Sequence, residues 1–252
     1  MKILYEHLAE RIVERPSIKD ISNKLFQLGH EHDLENNIFD IEITPNRGDC
    51  LSVDGLLRDL NIFYQTIPRK EIFNGNIEKF NFNFKNDEKD ACPYISFLEI
   101  EIGDYIESYN ESLESYFRDL NNKKINFFTD LSNYLSYETG QPTHCYDSMK
   151  IPEGLTLGRN QEKTKFMTLL DKEIEIKENN LLFFNNDKIV NLAGIVGGKN
   201  SACDDKTKSV IVECAYFNPE EILGKSIQYN INSDAAYKFE RGVDPSSHEY
   251  VL

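Results

Sequence analysis

Two residues stand where chemistry can be done. His144 closes the stretch Glu138-Thr-Gly-Gln-Pro-Thr-His-Cys-Tyr-Asp147, where Gly140, Pro142 and His144 fall within five positions. Loops carry function disproportionately, yet a histidine in this place more often just closes the turn. Glu213 lies in "SVIVECAYF" (209–217). Alternation puts Val210, Val212 and Cys214 on one face and Ile211, Glu213 and Ala215 on the other. A carboxylate among small and apolar neighbours needs a partner. Either a lysine or arginine supplies it, or the carboxylate serves a pocket that recognises a ligand hydroxyl or orients water.

Other candidates are weaker. "GIVGGKNS" (194–201) fits neither dinucleotide nor P-loop spacing. Its adjacent glycines either let backbone approach a ligand or make a tight turn, and spacing favours the turn. His30-x-His32 suits a metal only from a strand; it reads as a polar loop with no third ligand nearby. There is no Gly-x-Ser-x-Gly elbow, Walker loop or His-Glu-x-x-His helix.

These residues need elements to hold them. Ile3, Leu4, Leu8 and Ile12 have helical spacing; Ser17 starts a second helix with Ile18, Ile21, Leu25 and Phe26 on one face; 38–43 alternate as a strand; 51–64 read as a third helix. Residues 1–68 therefore read as a small helical unit with a strand. After Lys70 the texture changes. "KFNFNFKN" (79–86) and "YISFLEIEI" (94–102) read as strands, 111–120 and 128–137 as helices, and from 154 short strands dominate. Asn185-Asn186-Asp187 links two of them as a hairpin. Asn218-Pro219-Glu220-Glu221 starts a helix, and a last helix spans about 233–241 before Gly242. Residues 69–252 are expected to form an α+β unit with a mixed or antiparallel sheet and flanking helices.

Composition narrows the class. The 252 residues are 40% hydrophobic with net charge −15, enough for one large or two small domains. Such acidity repels phosphate backbones at long range, which disfavours a non-specific nucleic-acid binder. The five cysteines show no zinc spacing or disulfide framework and are expected as reduced, mostly buried thiols. "MKILYEHLAERI" has no apolar core of a signal peptide, and no apolar run approaches the ~20 residues of a membrane span. A soluble, cytoplasmic protein is expected.

Five longer segments add a resemblance. "DIEITPNRGDCLSVDGLLRDL" (40–60), "DLSNYLSYETGQPTHCYD" (130–147), "NLAGIVGG" (191–198), "VIVECAYFNPEEILGKS" (210–226) and "SDAAYKFERGVDP" (233–245) closely resemble the bacterial phenylalanyl-tRNA synthetase β subunits. The resemblance implies a B1-like domain over 1–68 and a B3/B4-like domain over 69–252. It also implies that a tRNA-binding insert, placed in the family between the equivalents of about His32 and Asn37, is missing here. Since the family continues past the equivalent of Leu252, a piece of a longer β subunit starting at its own Met1 is expected.

The resemblance further implies a proofreading site that hydrolyses tyrosine wrongly esterified to the phenylalanine tRNA. An apolar pocket rejects an added hydroxyl only about a hundredfold, whereas a site built to bond that hydroxyl rejects its absence by roughly 10⁴ or more. On this reading His144, Glu213 and Ser233 are catalytic. Ser132, Asn133, Gly197, Gly198, Asp234 and Ala235 bind substrate. His144 would hold water or the terminal ribose, and Glu213 the hydroxyl. The implied partners are the 3′ end of tRNA(Phe) and an α subunit in a heterotetramer, with no membrane. No cofactor is expected in this chain; ATP and Mg²⁺ would belong to the α subunit of the whole ligase. Departures are Ser132 and Ser233, where the family has threonine, and Lys123-Lys124, where it has Arg-Pro. The alternative is a non-catalytic part that packs on the α subunit, places tRNA and has lost editing.

Overall fold

In the computed structural model, which describes residues 1–69, 75, 77–103 and 108–252, the first apolar residues form a strand, not a helix. β1 (Lys2–Leu4) precedes a five-residue α1 (Tyr5–Ala9). Ile3 lies opposite Phe39 in a strand pair, and both are fully buried, so pairing wins over helical spacing. α2 (Ile18–Gln27) starts as expected, with the Ser17 hydroxyl accepting the Asp20 N–H. Ile21 and Leu25 face inward, but Phe26 is half exposed over the His32 ring. β2 (Glu31–Glu35) and β3 (Ile38–Glu42) follow, then α3 (Val53–Leu60), capped by Ser52, and α4 (Glu111–Arg118), capped by Asn110. The strands pair antiparallel in the order β1-β3-β2. The first unit is thus a three-stranded sheet with helices rather than a helical unit with one strand. His32 stands on β2, which the polarity of that segment concealed.

The second unit holds two larger sheets. β4 (Phe84–Asn86) is the only paired part of "KFNFNFKN". Phe80 and Phe82 still pack against the core, so the alternation marked burial without a ladder. After β5 (Tyr94–Glu101) and α5 (Phe127–Thr139) come β6 (Thr143–Asp147), β7 (Leu155–Arg159), β8 (Thr164–Met167), β9 (Glu173–Ile176), β10 (Leu181–Asn185), β11 (Lys188–Leu192), β12 (Val196–Gly197) and β13 (Ser209–Tyr216). α6 (Pro219–Ile222), α7 (Lys225–Tyr229), α8 (Asp234–Phe239) and α9 (Ser247–Tyr250) end the chain. One sheet runs β5-β13-β6, all antiparallel. A five-stranded sheet runs β12-β11-β10-β7-β4, antiparallel except for the parallel pair β4–β7. β8 and β9 form a separate hairpin. The architecture is α+β with mixed and antiparallel sheets.

Compactness groups the chain differently from a cut after residue 68. One unit holds Met1–Lys79, Ile106–Ile125 and Tyr137–Gly140; the other holds the remainder. Within the second, Ile211 and Ala215 of β13 share one core with Leu157, Leu182, Phe183 and Leu192 of the five-stranded sheet. The opposite face of β13 presents Val210 and Val212 to Phe128, Cys145 and Cys203.

Candidate functional site

The turn before β6 is tied down by Gln141. Its amide donates to the Ala215 carbonyl at 3.0 Å and to the Pro142 carbonyl at 2.8 Å, and the side chain is 1% exposed. This anchors β6 beside β13 in a register that sets His144 directly opposite Glu213. Directly paired residues share a face. The two residues singled out in the sequence are therefore neighbours, on the face turned toward the five-stranded sheet.

Glu213 is 4% exposed. Among the described residues no lysine or arginine pairs with it. The Tyr146 hydroxyl donates to its Oε2 at 2.6 Å. Burial pushes the carboxyl up to about 8, against the pull of that hydrogen bond, so the group is mostly protonated at neutral pH. Burial pulls His144 down to about 4, leaving a neutral imidazole. Its Nε2 is buried without a hydrogen-bond partner, as is Oδ1 of Asn191. The His144 ring meets the Tyr146 ring edge-on, with centroids 4.4 Å apart.

Gly197 explains how the imidazole fits. A Cβ there would sit 2.7 Å from His144 Nε2, so the ring lies where a side chain would be. At Gly198 a Cβ would meet the Val190 carbonyl at 2.8 Å. The pair lies in extended backbone, not in the tight turn that spacing favoured; the turn belongs to Gly194, at φ +70°.

The remaining expected residues are distributed less simply. The Ser233 hydroxyl donates to the Ile195 carbonyl at 2.8 Å and accepts the Ala236 N–H at 3.1 Å, capping α8 and tethering the strand that bears Gly197. Ala235 packs on the core. Asp234 is bound to Lys238 at 2.8 Å and accepts from Ser136 at 3.2 Å, both through Oδ2, so the carboxylate links α8 to α5 while its side chain stays exposed. Ser132 contacts Cys145 Sγ at 3.3 Å, on the face of β6 away from His144, and Asn133 is exposed on α5. Ser132 therefore falls outside the His144–Glu213 face because α5 covers the other side of the sheet.

Two residues were missed. Tyr146 lies two positions beyond His144, so the same alternation that paired His144 with Glu213 would have found it. Asn191, whose Nδ2 donates to the Tyr146 hydroxyl at 2.8 Å, gives no such signal.

Other features lie elsewhere. A cleft of about 800 Å³ lined by residues including Arg159, Lys165, Phe166, Lys188 and Gly198 takes in none of His144, Tyr146 and Glu213. In the first unit, His30, Cys50 and Asp59 gather as metal ligands would. Arg47 already fills the space, donating to Asp59 at 2.6 Å and to Cys50 Sγ at 2.7 Å. His32 turns to Ser22 instead, so the His-x-His pair diverges. All five cysteines are free thiols, and among the described residues no helix is long and apolar enough to cross a membrane.

Comparison with known proteins gives the chain its family. The family described as the B3/4 domain matches residues 91–252. The phenylalanine–tRNA ligase β subunit of Francisella tularensis is 33% identical over 220 residues, covering 84% of this chain and 27% of that protein. The Fusobacterium nucleatum β subunit is 34% identical over 224 residues, covering 87% and 28%. The chain thus spans under a third of these relatives. A crystal structure of an N-terminal fragment of the phenylalanyl-tRNA synthetase β subunit from Pyrococcus horikoshii aligns with TM-score 0.46 and 16% identity, over 96% of this chain and 73% of the fragment.

Proposed function

Because the chain belongs to the B3/4 domain family, we propose that its second unit is the proofreading part of a phenylalanine–tRNA ligase β subunit, hydrolysing the ester of tyrosine wrongly joined to tRNA(Phe). The observation that carries the reading is a buried carboxyl without a cation, set by strand register beside an imidazole whose buried Nε2 has no partner. An unsatisfied buried polar group costs about 1–3 kcal/mol, and a ligand or water at this face offsets that cost.

The roles follow from the charge states. A protonated Glu213 both donates and accepts, which suits a phenolic hydroxyl. A neutral His144 accepts a hydrogen bond from water and takes its proton as water attacks the ester carbonyl. Gly197 makes room for the His144 ring, and the small Ala235 is the residue of this reading that spares space for the amino acid. The tRNA 3′ end and an α subunit are the partners of this reading. In this reading ATP and Mg²⁺ are handled by that subunit.

A second reading, a tRNA-placing part without editing, is favoured by the Tyr146 hydroxyl already bonded to Glu213. Deacylation of Tyr-tRNA(Phe) by the assembled ligase separates the two. Glu213→Ala and His144→Ala should each slow release about a hundredfold. Wild-type release at the spontaneous rate would leave only the second reading.

A further inference from the structure

The Tyr146 ring is fully buried, edge-on to both His144 and Phe183. Its strand is fixed on one side by β13, and Tyr146 itself bridges to Ala202 on the other. A side chain so enclosed does not swing out to admit a ligand. Its hydroxyl is engaged on both sides. Asn191 Nδ2 of β11 donates to it at 2.8 Å, so its own proton goes to Glu213 Oε2, at 2.6 Å. The chain Asn191–Tyr146–Glu213 crosses from one sheet to the other, and such chains polarise each successive bond.

We propose that Asn191 and Tyr146 are positioning residues that pin Oε2 of Glu213 and thereby reserve the second carboxyl oxygen, Oε1, for a ligand hydroxyl. That the hydroxyl is the phenol of an esterified tyrosine rests on the proofreading reading; the pinning itself does not. The Tyr146 hydrogen is spent on Oε2, so a proton held by the carboxyl sits on Oε1. Oε1 then donates to the phenol oxygen or, once ionised, accepts from it. The titratable groups close to Glu213 are His144, Tyr146, Cys92, Cys145 and Cys214. Burial keeps the imidazole and the three thiols uncharged at neutral pH, and burial together with Glu213 keeps the phenol so. The relay hydrogen bond is therefore the strongest local influence on how the carboxyl is turned.

The test uses this chain labelled with ¹³C at the glutamate carboxyls, with Glu213→Gln assigning the resonance. Tyr146→Phe should move the Glu213 titration midpoint upward by about one pH unit or more, because the hydrogen bond that favours the ionised form is gone. Asn191→Leu should move it the same way by less, and it decides the matter should Tyr146→Phe fail to fold. An unchanged midpoint in the folded variant overturns the relay. In the assembled ligase, Tyr146→Phe should cut the preference for Tyr-tRNA(Phe) over Phe-tRNA(Phe) about tenfold and carry the alkaline limb of the pH–rate profile upward with the titration. A shifted midpoint in an enzyme whose wild type releases no tyrosine would sustain the relay and remove the proofreading reading.

Discussion

Glu138, in the first unit, receives Arg69 at 2.9 Å and Arg11 at 3.5 Å; Glu213, in the second, receives a phenol. Both are nearly buried, at 8% and 4% exposure. Asp59 follows the pattern of Glu138. Arg47 at 2.6 Å and His30 at 3.1 Å surround it and help hold its carboxyl below the usual range despite burial. Fully compensated carboxylates of this kind are what a structural network looks like. Glu213 is left to answer its burial by keeping its proton, which is how chemistry-bearing carboxyls differ from structural ones. The contrast between an acid matched by arginines and one matched only by a hydroxyl is the strongest physical ground for placing function in the second unit.

That contrast can be broken by mutation. Glu138→Ala should cost about 2 kcal/mol, since it removes a nearly buried charged hydrogen-bond partner from two half-buried arginines that keep only Asp54. Urea unfolding checks it, and a midpoint within error of wild type would deny the first unit its structural network. Gly197→Ala should cost about 2 kcal/mol through overpacking against His144, with a matching drop in melting temperature; a neutral result would mean the imidazole is not wedged there.

The subtlest expectation concerns pH. The folded carboxyl of Glu213 titrates near 8 and the unfolded one near 4.5. Its contribution to stability is complete below 4.5 and disappears as pH climbs through 8. His144, lowered from 6.5 to about 4, acts oppositely, destabilising the fold as pH falls below 6.5. The two slopes largely cancel between 4.5 and 6.5. Above 6.5 only the carboxyl remains, and stability should fall by about 2 kcal/mol by pH 8. Glu213→Gln should flatten this limb while changing stability at pH 6.5 by no more than about 1 kcal/mol. A wild-type curve flat from 6.5 to 8 would mean that the carboxyl is ionised and matched after all.

Much of the site was legible because strands write their faces into the sequence. "SVIVECAYF" assigned Glu213 to its face correctly, and Ser17, Asn218 and Ser233 announced the helices they cap. What stayed hidden depends on neighbours distant in sequence. Ile3 and Leu4 carry helical spacing yet pair with β3, about 35 residues on, and local propensity cannot report such a partner. Phe80 and Phe82 alternate like a strand but find only a core to lie on. Asn191 was unreadable because its importance depends on a strand-to-strand contact over 45 residues.

Among the described strands β13 follows β5 and β6 in sequence yet is the middle strand of their sheet. During synthesis, β5 and β6 emerge long before the strand that joins them. Until then both offer unpaired edges to any other extended segment, and loops of this length make closure slow. His144 and Glu213 therefore meet only when β13 inserts, and a nascent chain arrested before that step has neither the pair nor a finished sheet.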